Sequence, residues 1–216
     1  MKKLNKTLVL ITLISLLPII FGVLIYDQLP DQVPTQWNFS GEIDGWSSKA
    51  TAVFGMPCFM AAVALIIYFA LNSDPKRKNM PEILVKISMW ICPVLSMILV
   101  PSTILAALGY EVNIKLTTCL IMGIVFLVIG NYLPKCKQSY TMGIRIPWTL
   151  NSEENWNRTH RMAGKLWIIA GISFFIIAFI DNSKLGGILS AVLFSAIIIV
   201  ALIPMVYSYI LYKKGI

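Results

Sequence analysis

The stretch MAGKLWIIAGISFFIIAFI, Met162–Ile180, decides the fold. An α-helix rises about 1.5 Å per residue, so roughly 20 residues cross a hydrocarbon layer about 30 Å thick. The uncharged part alone, Leu166–Ile180, falls short of that length. Begun near Met162, with the Lys165 stem extended so that its ammonium lies among headgroups, it spans. If it crosses, the chain has six spans and its two ends share one side of the bilayer. If it turns back, they do not.

Five longer uncharged runs surround it: Thr7–Tyr26, Ala50–Leu71, Ile87–Tyr110, Leu116–Leu133 and Leu185–Tyr212. Loop charges test the count. With six spans, Lys2, Lys3, Lys6, Lys76, Arg77, Lys78, Lys86, Lys135, Lys137, Arg145, Arg158, Arg161, Lys165, Lys213 and Lys214 lie on one side, fifteen of the eighteen Lys and Arg residues. Only Lys49, Lys115 and Lys184 fall on the other, with six of the ten acids: Asp27, Asp31, Glu42, Asp44, Glu111 and Asp181. The positive-inside rule then puts both termini in the cytoplasm. A re-entrant fifth run would move Lys213 and Lys214 outside and weaken the asymmetry. The expected fold is an all-α integral membrane protein, a six-transmembrane helix bundle with both termini cytoplasmic. It divides into an amino-terminal helix pair, 1–71, with a structured extracytoplasmic loop at 27–49, and a four-helix region, 72–216, with a cytoplasmic motif loop at 131–165.

Composition agrees. A chain that is 57% hydrophobic and 13% charged, with mean hydropathy +0.77, is not a soluble domain. The net charge of +8 comes from cations flanking membrane helices on one side, where they set orientation and meet anionic lipid; no direct nucleic-acid binding is expected. Lys2, Lys3 and Lys6 precede an apolar run too long for a signal-peptide core, and no small-x-small site follows at Leu24–Gln32, so an uncleaved first helix is expected. Cys58, Cys92 and Cys119 fall in predicted helices and Cys136 just inside the cytoplasmic face, which predicts no disulfide. Without a CxxC pair or a histidine cluster, no metal or other cofactor is expected. The longest non-membrane stretch, about 30 residues, is too short for an independent core.

No ionisable residue falls near the middle of a span, which argues against an ion-coupled transporter but not against a neutral pore. Pro18, Pro57, Pro93, Pro101 and Pro204 each free a carbonyl that a neighbouring helix or hydroxyl must satisfy; they read as packing kinks or as a broken-helix site. Gly186, Gly187 and Ser190 suit close helix contact.

Chemistry is confined to two loops. In the outer one, LPDQVPTQWNFSGEIDGWSSK (29–49), Pro30 and Pro34 keep the chain extended and Gly41 and Gly45 mark tight turns. Trp37, Phe39 and Trp46 suit headgroup-level anchors. Glu42 and Asp44 flank Ile43 and point to one side of an extended segment, as for a cation or peptide, although a calcium loop needs more ligands. Asn38-Phe39-Ser40 fits the glycosylation pattern. A compact loop pinned by aromatics and a ligand site both remain open.

In the inner loop, Pro134 ends the fourth helix and Lys135 and Lys137 are placed to snorkel or to meet lipid phosphates. Gly143 and Pro147 bracket Arg145 on a constrained non-helical stretch, and Pro147 biases Ile146 away from helical angles. Ser152 is an N-cap followed by Glu153 and Glu154, where the helix dipole favours anions. A short in-plane helix is therefore expected from about Glu153 towards the fifth span. At a period of 3.6, Trp156, His160, Ala163 and Trp167 share one face and Glu154, Arg158, Arg161 and Lys165 another. Such stripes suit an interfacial helix or a partner surface. Glu154 and Arg158 are spaced to pair, for about 0.3–0.5 kcal/mol. His160, the single histidine, lacks ligand-spaced companions and reads as a hydrogen-bonded structural residue against the tryptophan face. No Ser or Thr has a motif-borne base, so nucleophilic catalysis is unsupported.

Asn131, Pro134, Gly143-Ile144-Arg145-x-Pro147-Trp148-Thr149-Leu150, Ser152-Glu153, Trp156 and Thr159-His160-Arg161 with Gly164 resemble the SdpI family, bacterial multi-pass proteins named for immunity to a secreted sporulation-delaying peptide toxin. Leu29-Pro30-x-x-Val33-Pro34-x-x-Trp37-Asn38 and Gly41-Glu42-x-Asp44-Gly45 resemble the short amino-terminal domain of unknown function that often precedes it. Together the resemblances cover essentially the whole chain. They imply six spans in a bacterial cell membrane, no enzymatic activity and protection from a membrane-active peptide. For some members they also imply holding a small winged-helix repressor at the membrane. Two positions depart from the family: Gln36 stands where a histidine is common, and Ile146 where a threonine is frequent.

The function expected is a membrane immunity and signalling protein. Arg145, Pro147, Trp148, Glu153, Trp156, His160 and Arg161 would form a cytoplasmic partner surface, and Pro34, Trp37, Asn38, Glu42 and Asp44 the outer recognition loop. The alternatives are a small transporter or pore for a neutral or peptide substrate, and a lipid-acting enzyme using Glu153, His160 and Arg161.

Overall fold

The computed structural model describes residues 5–38, 41–180 and 186–216. It is 75% helical, and six helices among the described residues are long and apolar enough to cross a membrane. Their outward side chains are largely hydrocarbon; Leu24 is 75% exposed and Phe179 74%. Apolar surface on that scale is stable only against lipid or another protein.

Pro18 splits the first span into α1 (Lys6–Leu16) and α2 (Pro18–Leu24). The carbonyl it deprives of a partner, Ile14 O, accepts the Leu17 N–H at 3.3 Å, and the next carbonyl, Ser15 O, accepts the Ser96 hydroxyl at 2.7 Å. The freed carbonyl is thus served by the chain's own backbone, where a neighbouring helix or hydroxyl was expected, and the Ser96 hydroxyl serves the carbonyl after it. A single π-helical turn, Thr51–Gly55, leads into α3 (Met56–Ser73), followed by α4 (Glu82–Ala107) with Pro93 and Pro101 inside it. Then come α5 (Ile114–Tyr132), the short α6 (Pro147–Asn151), α7 (Glu153–Ala178) and α8 (Gly186–Lys213).

Two compact units result: residues 1–70 with 85–114, and 71–84 with 115–216. In the first, Leu29, Val53, Val100 and Ile104 form the core, and Phe21, Tyr26 and Met56 pack around it. Its connector holds the one β element among the described residues, an antiparallel hairpin of β1 (Gln32–Trp37) and β2 (Ile43–Ser48). Sequence reading expected an extended loop with tight turns and did not foresee pairing. Pro34 lacks an amide and Gly45 lacks a side chain, and both weaken the strand pattern. The pairing tolerates them through an irregular register between Pro34 and Trp37, with Gln36 opposite Gly45.

The second unit has a core of Cys119, Phe126, Ala170, Phe174, Ile177 and Val200. Trp167 stacks on Phe126 with ring centroids 4.7 Å apart. Glycines bring α5 and α7 together. A Cβ on Gly130 would meet Gly164 O at 2.8 Å, and one on Gly171 would meet Gly123 O at 3.0 Å. Each helix carries its pair seven residues apart and the order is inverted between them, so the helices run antiparallel along one glycine-lined seam.

The fifth apolar run is part of a single helix. Where a short in-plane helix ahead of the span was expected, α7 continues unbroken from Glu153 to Ala178. No proline or π-turn interrupts it, and its inward face stays buried past the polar-to-apolar transition, so nothing ends the hydrogen-bond ladder. Lys2, Lys3, Phe39, Ser40, Asp181 and Lys184, and with Ser40 the glycosylation pattern, lie outside the described residues.

Candidate functional site

Ser152 caps α7 by accepting the Asn155 N–H at 3.2 Å, so the helix starts at Glu153 as its cap predicts. The two stripes separate as expected. Trp156, His160 and Ala163 are essentially inaccessible, while Glu154, Arg158, Arg161 and Lys165 are exposed and Glu154 pairs with Arg158. The buried stripe, however, is covered by the chain's own loop.

His160 ties that loop to its own helix, one ring nitrogen on each. Nδ1 lies 2.8 Å from Trp156 O, and Nε2 lies 3.0 Å from the Ile144 N–H. A carbonyl on one side and an amide on the other leave one arrangement: Nδ1–H donates and Nε2 accepts, in a neutral ring. Its ring stacks on Trp156 at 4.0 Å, and the Trp156 indole N–H donates to Cys136 O at 2.7 Å. Gly143 crosses these rings with φ +105°; a Cβ there would fall 2.6 Å from His160 Nε2 and 2.8 Å from the Trp156 ring. Both the backbone angle and the close approach therefore demand glycine.

Beyond Gly143 the chain turns into α6. Ile146 is extended (φ −119°, ψ 158°), as a residue before proline should be, and Pro147 opens the short helix. Buried Thr149 closes the turn, its hydroxyl accepting the Ile146 N–H at 3.1 Å and lying 2.7 Å from Ile144 O. Trp148 packs on α8, its ring 5.1 Å from that of Tyr209 and 6.1 Å from that of Tyr212. The Arg145 guanidinium donates to Tyr140 O at 2.7 Å and stays exposed.

Polar residues that the sequence did not single out brace the other side. Gln138 Nε2 donates to Thr149 O at 2.9 Å and Leu150 O at 2.6 Å, and its Oε1 accepts from Lys76 Nζ at 2.8 Å. Asn79 Nδ2 donates to Gln138 O at 2.8 Å. Asp74, 7% exposed, accepts the Lys76 N–H at 2.7 Å and the Tyr140 N–H at 3.0 Å. Burial alone would raise its carboxyl, but hydrogen bonds from the Thr141 side chain and from the Lys76, Thr141 and Tyr140 amides outweigh it and hold the group below its ordinary value. Burial pushes the Cys136 thiol up to about 11, Ser139 opposing and the Asp74 charge adding to it, so this cysteine is an inert structural thiol. Fully buried Asn155 spends its whole amide on α8, the residues after it and its own helix. Oδ1 accepts from Ser208 Oγ at 2.6 Å and Thr159 Oγ1 at 3.2 Å; Nδ2 donates to Ser208 O at 3.0 Å and Ile216 O at 3.1 Å.

The seven motif residues thus divide. Arg145, Pro147, Glu153 and Arg161 are exposed, Trp148 is half-buried, and Trp156 and His160 are interior supports. Uncharged polar residues at 155 and 159, spaced like Trp156 and His160, were the available signal for the missed Asn155 hub. No metal-capable group of three or more His, Cys, Asp or Glu residues occurs among the described residues.

In the first unit, Asn38 and Glu42 close the hairpin. Glu42 N–H donates to Asn38 Oδ1 at 3.0 Å, Asn38 Nδ2 to Glu42 Oε2 at 2.9 Å, and Gly41 has φ +86°. Pro34 is buried, Trp37 half-buried, and Asn38, Glu42 and Asp44 are exposed. Gln36 lies over Gly45, whose Cβ would meet its Oε1 at 2.6 Å.

Against known proteins, residues 135–208 match the SdpI/YfhL protein family and residues 13–61 a domain of unknown function, DUF1648. The chain is 30% identical over 202 residues to Immunity protein SdpI of Bacillus subtilis (strain 168), covering 94% of each chain. No solved structure matches.

Proposed function

This chain belongs to the SdpI/YfhL protein family, and on that premise we propose that it is a bacterial multi-pass immunity protein that protects its cell from a secreted antimicrobial peptide. The observation that carries the reading is a likeness to a protein named for immunity that runs through 94% of both chains, hairpin and motif loop included. The loop charges support an orientation with both termini and the motif loop in the cytoplasm and the hairpin outside.

On this reading the hairpin and adjacent helix ends meet the toxin, and the braced motif loop presents Arg145 and Trp148 to a cytoplasmic partner, a small transcriptional repressor. The protein acts by binding and turns over no substrate. An exposed guanidinium three residues before a half-buried indole has the makings of an interaction hot spot.

Expression in a toxin-sensitive bacterium tests it, with survival scored against a panel of secreted antimicrobial peptides. Protection against at least one peptide, retained when lipid-facing Phe59 is changed to Leu, is expected. Survival no better than that of cells lacking the protein, across the panel and with the protein shown to be inserted, would count against immunity. Arg145→Ala with Trp148→Ala should abolish recruitment of the partner while leaving insertion intact.

A further inference from the structure

A polar cleft of about 360 Å³ opens beside the motif loop in the second unit, lined by Asn79, Lys137, Gln138, Glu153, Trp156 and Asn157. Arg145 and Trp148 are not among its walls. We infer that this cleft is a second recognition site, which takes a short polar peptide segment carrying one acidic and one basic residue.

Three facts about the walls carry this. The floor is fixed. Gln138 is held by three hydrogen bonds from its side chain, Asn79 donates to Gln138 O and accepts the Lys137 N–H at 3.2 Å, and the Trp156 indole is tied to Cys136 O. The rim is uncommitted. Lys137, Glu153 and Asn157 are all exposed and make no side-chain hydrogen bond or ion pair among the described residues. The rim is also chemically mixed, offering one ammonium, one carboxylate and one primary amide. A primary amide gives a donor and an acceptor together, the pair a peptide group needs, while the two charges select a neighbouring acid and base. The braced floor confines the ordering cost of binding to the three rim side chains.

The height of the cleft favours an aqueous ligand over a lipid headgroup. Glu153 and Asn157 precede the apolar run beginning near Met162 by nine and five residues. At about 1.5 Å per residue that is roughly 7–14 Å beyond the hydrocarbon edge, at or past the outer limit of a headgroup layer about 5–7 Å deep.

This site rests on the reading of a cytoplasmic binding protein, and neither Arg145 nor Trp148 is among its lining residues. The test uses the full chain in nanodiscs of neutral phosphatidylcholine, titrated with capped hexapeptides of four kinds: mixed-charge, acidic, basic and neutral. The mixed-charge peptide should bind at least tenfold more tightly than the neutral one. Lys137→Gln and Glu153→Gln should each remove that preference, and Arg145→Ala should leave it intact. Equal affinities across the four kinds, or a preference untouched by both cleft substitutions, would overturn the site. So would peptide binding lost when anionic lipid is added at constant ionic strength, which would assign the cleft to headgroups. Intact toxin protection alongside any of these failures leaves the immunity reading standing, so the two fail separately.

Discussion

The Ile144 N–H points at His160 Nε2 from 3.0 Å, and this contact, sixteen residues apart in sequence, fixes the motif loop to the helix that follows it. A lone histidine in a loop-to-span segment invites a catalytic or metal role. Here both ring nitrogens are engaged by the chain's own backbone, and the ring is a bracket.

Replacing His160 with Ala should leave the Ile144 amide without its acceptor and open a cavity beside Trp156. The expected cost is on the order of 1–3 kcal/mol. Hydrogen exchange at Ile144 should speed up while exchange in α5 is unchanged. An unaltered Ile144 rate would show that the bracket does not hold the loop.

Gly143→Ala should damage the same loop by another route. Its φ of +105° strains any side chain, and the new Cβ would sit 2.6 Å from His160 Nε2. Together these should cost roughly 1–3 kcal/mol or more and make the 139–146 segment a protease site. A variant as resistant as the parent would contradict the close approach.

Gly130→Ala and Gly164→Ala place a Cβ against the facing helix's backbone, at 2.8 Å and 2.7 Å, where nothing flexible can give way. Each should lower the thermal midpoint in detergent, with an overpacking cost of about 1–3 kcal/mol. Gly55→Ala, whose Cβ would meet only the Thr51 methyl at 3.4 Å, is the control and should be near neutral. Equal midpoints for all three would dismiss the seam.

Asp74 makes the loop pH-dependent in one direction. Its folded-state carboxyl is held below its ordinary value of 3.8, so its contribution is fully present above that value. It is lost as pH falls through the lower folded value. Exchange at the Tyr140 amide should therefore accelerate only on strong acidification. Asp74→Asn should remove that acid step and loosen Tyr140 at neutral pH as well; an acid step unchanged in the variant would place its origin elsewhere.

Asn155→Asp keeps the shape and reverses two contacts, turning a nitrogen that donates to Ser208 O and Ile216 O into an oxygen facing two carbonyls. A loss of about 2 kcal/mol or more, read as a lower midpoint, is expected for a buried network broken this way. Asn155→Ser, which keeps a donor and an acceptor, should lose less.

Much of this was legible from the chain alone. Span number follows from run length and from where cations accumulate. The start of α7 follows from Ser152 and its two faces from a period of 3.6, because capping and helical spacing are local. The extended setting of Ile146 follows from the proline after it. The resemblance in the two loops named the family before any coordinate was needed.

Tertiary structure decided what those local rules leave open. Sequence put Trp156 and His160 on one face, but only packing showed that the face is covered by residues 136–146 and so supports the loop. The hairpin was hidden because Pro34 and Gly45 spoil strand propensity, and pairing depends on a partner strand brought close by the turn at Asn38–Glu42. Asp74, Gln138 and Asn155 gave no motif, since a buried polar side chain is defined by partners as many as 66 residues away. Periodicity places a residue on a face; what meets that face is a property of the folded chain.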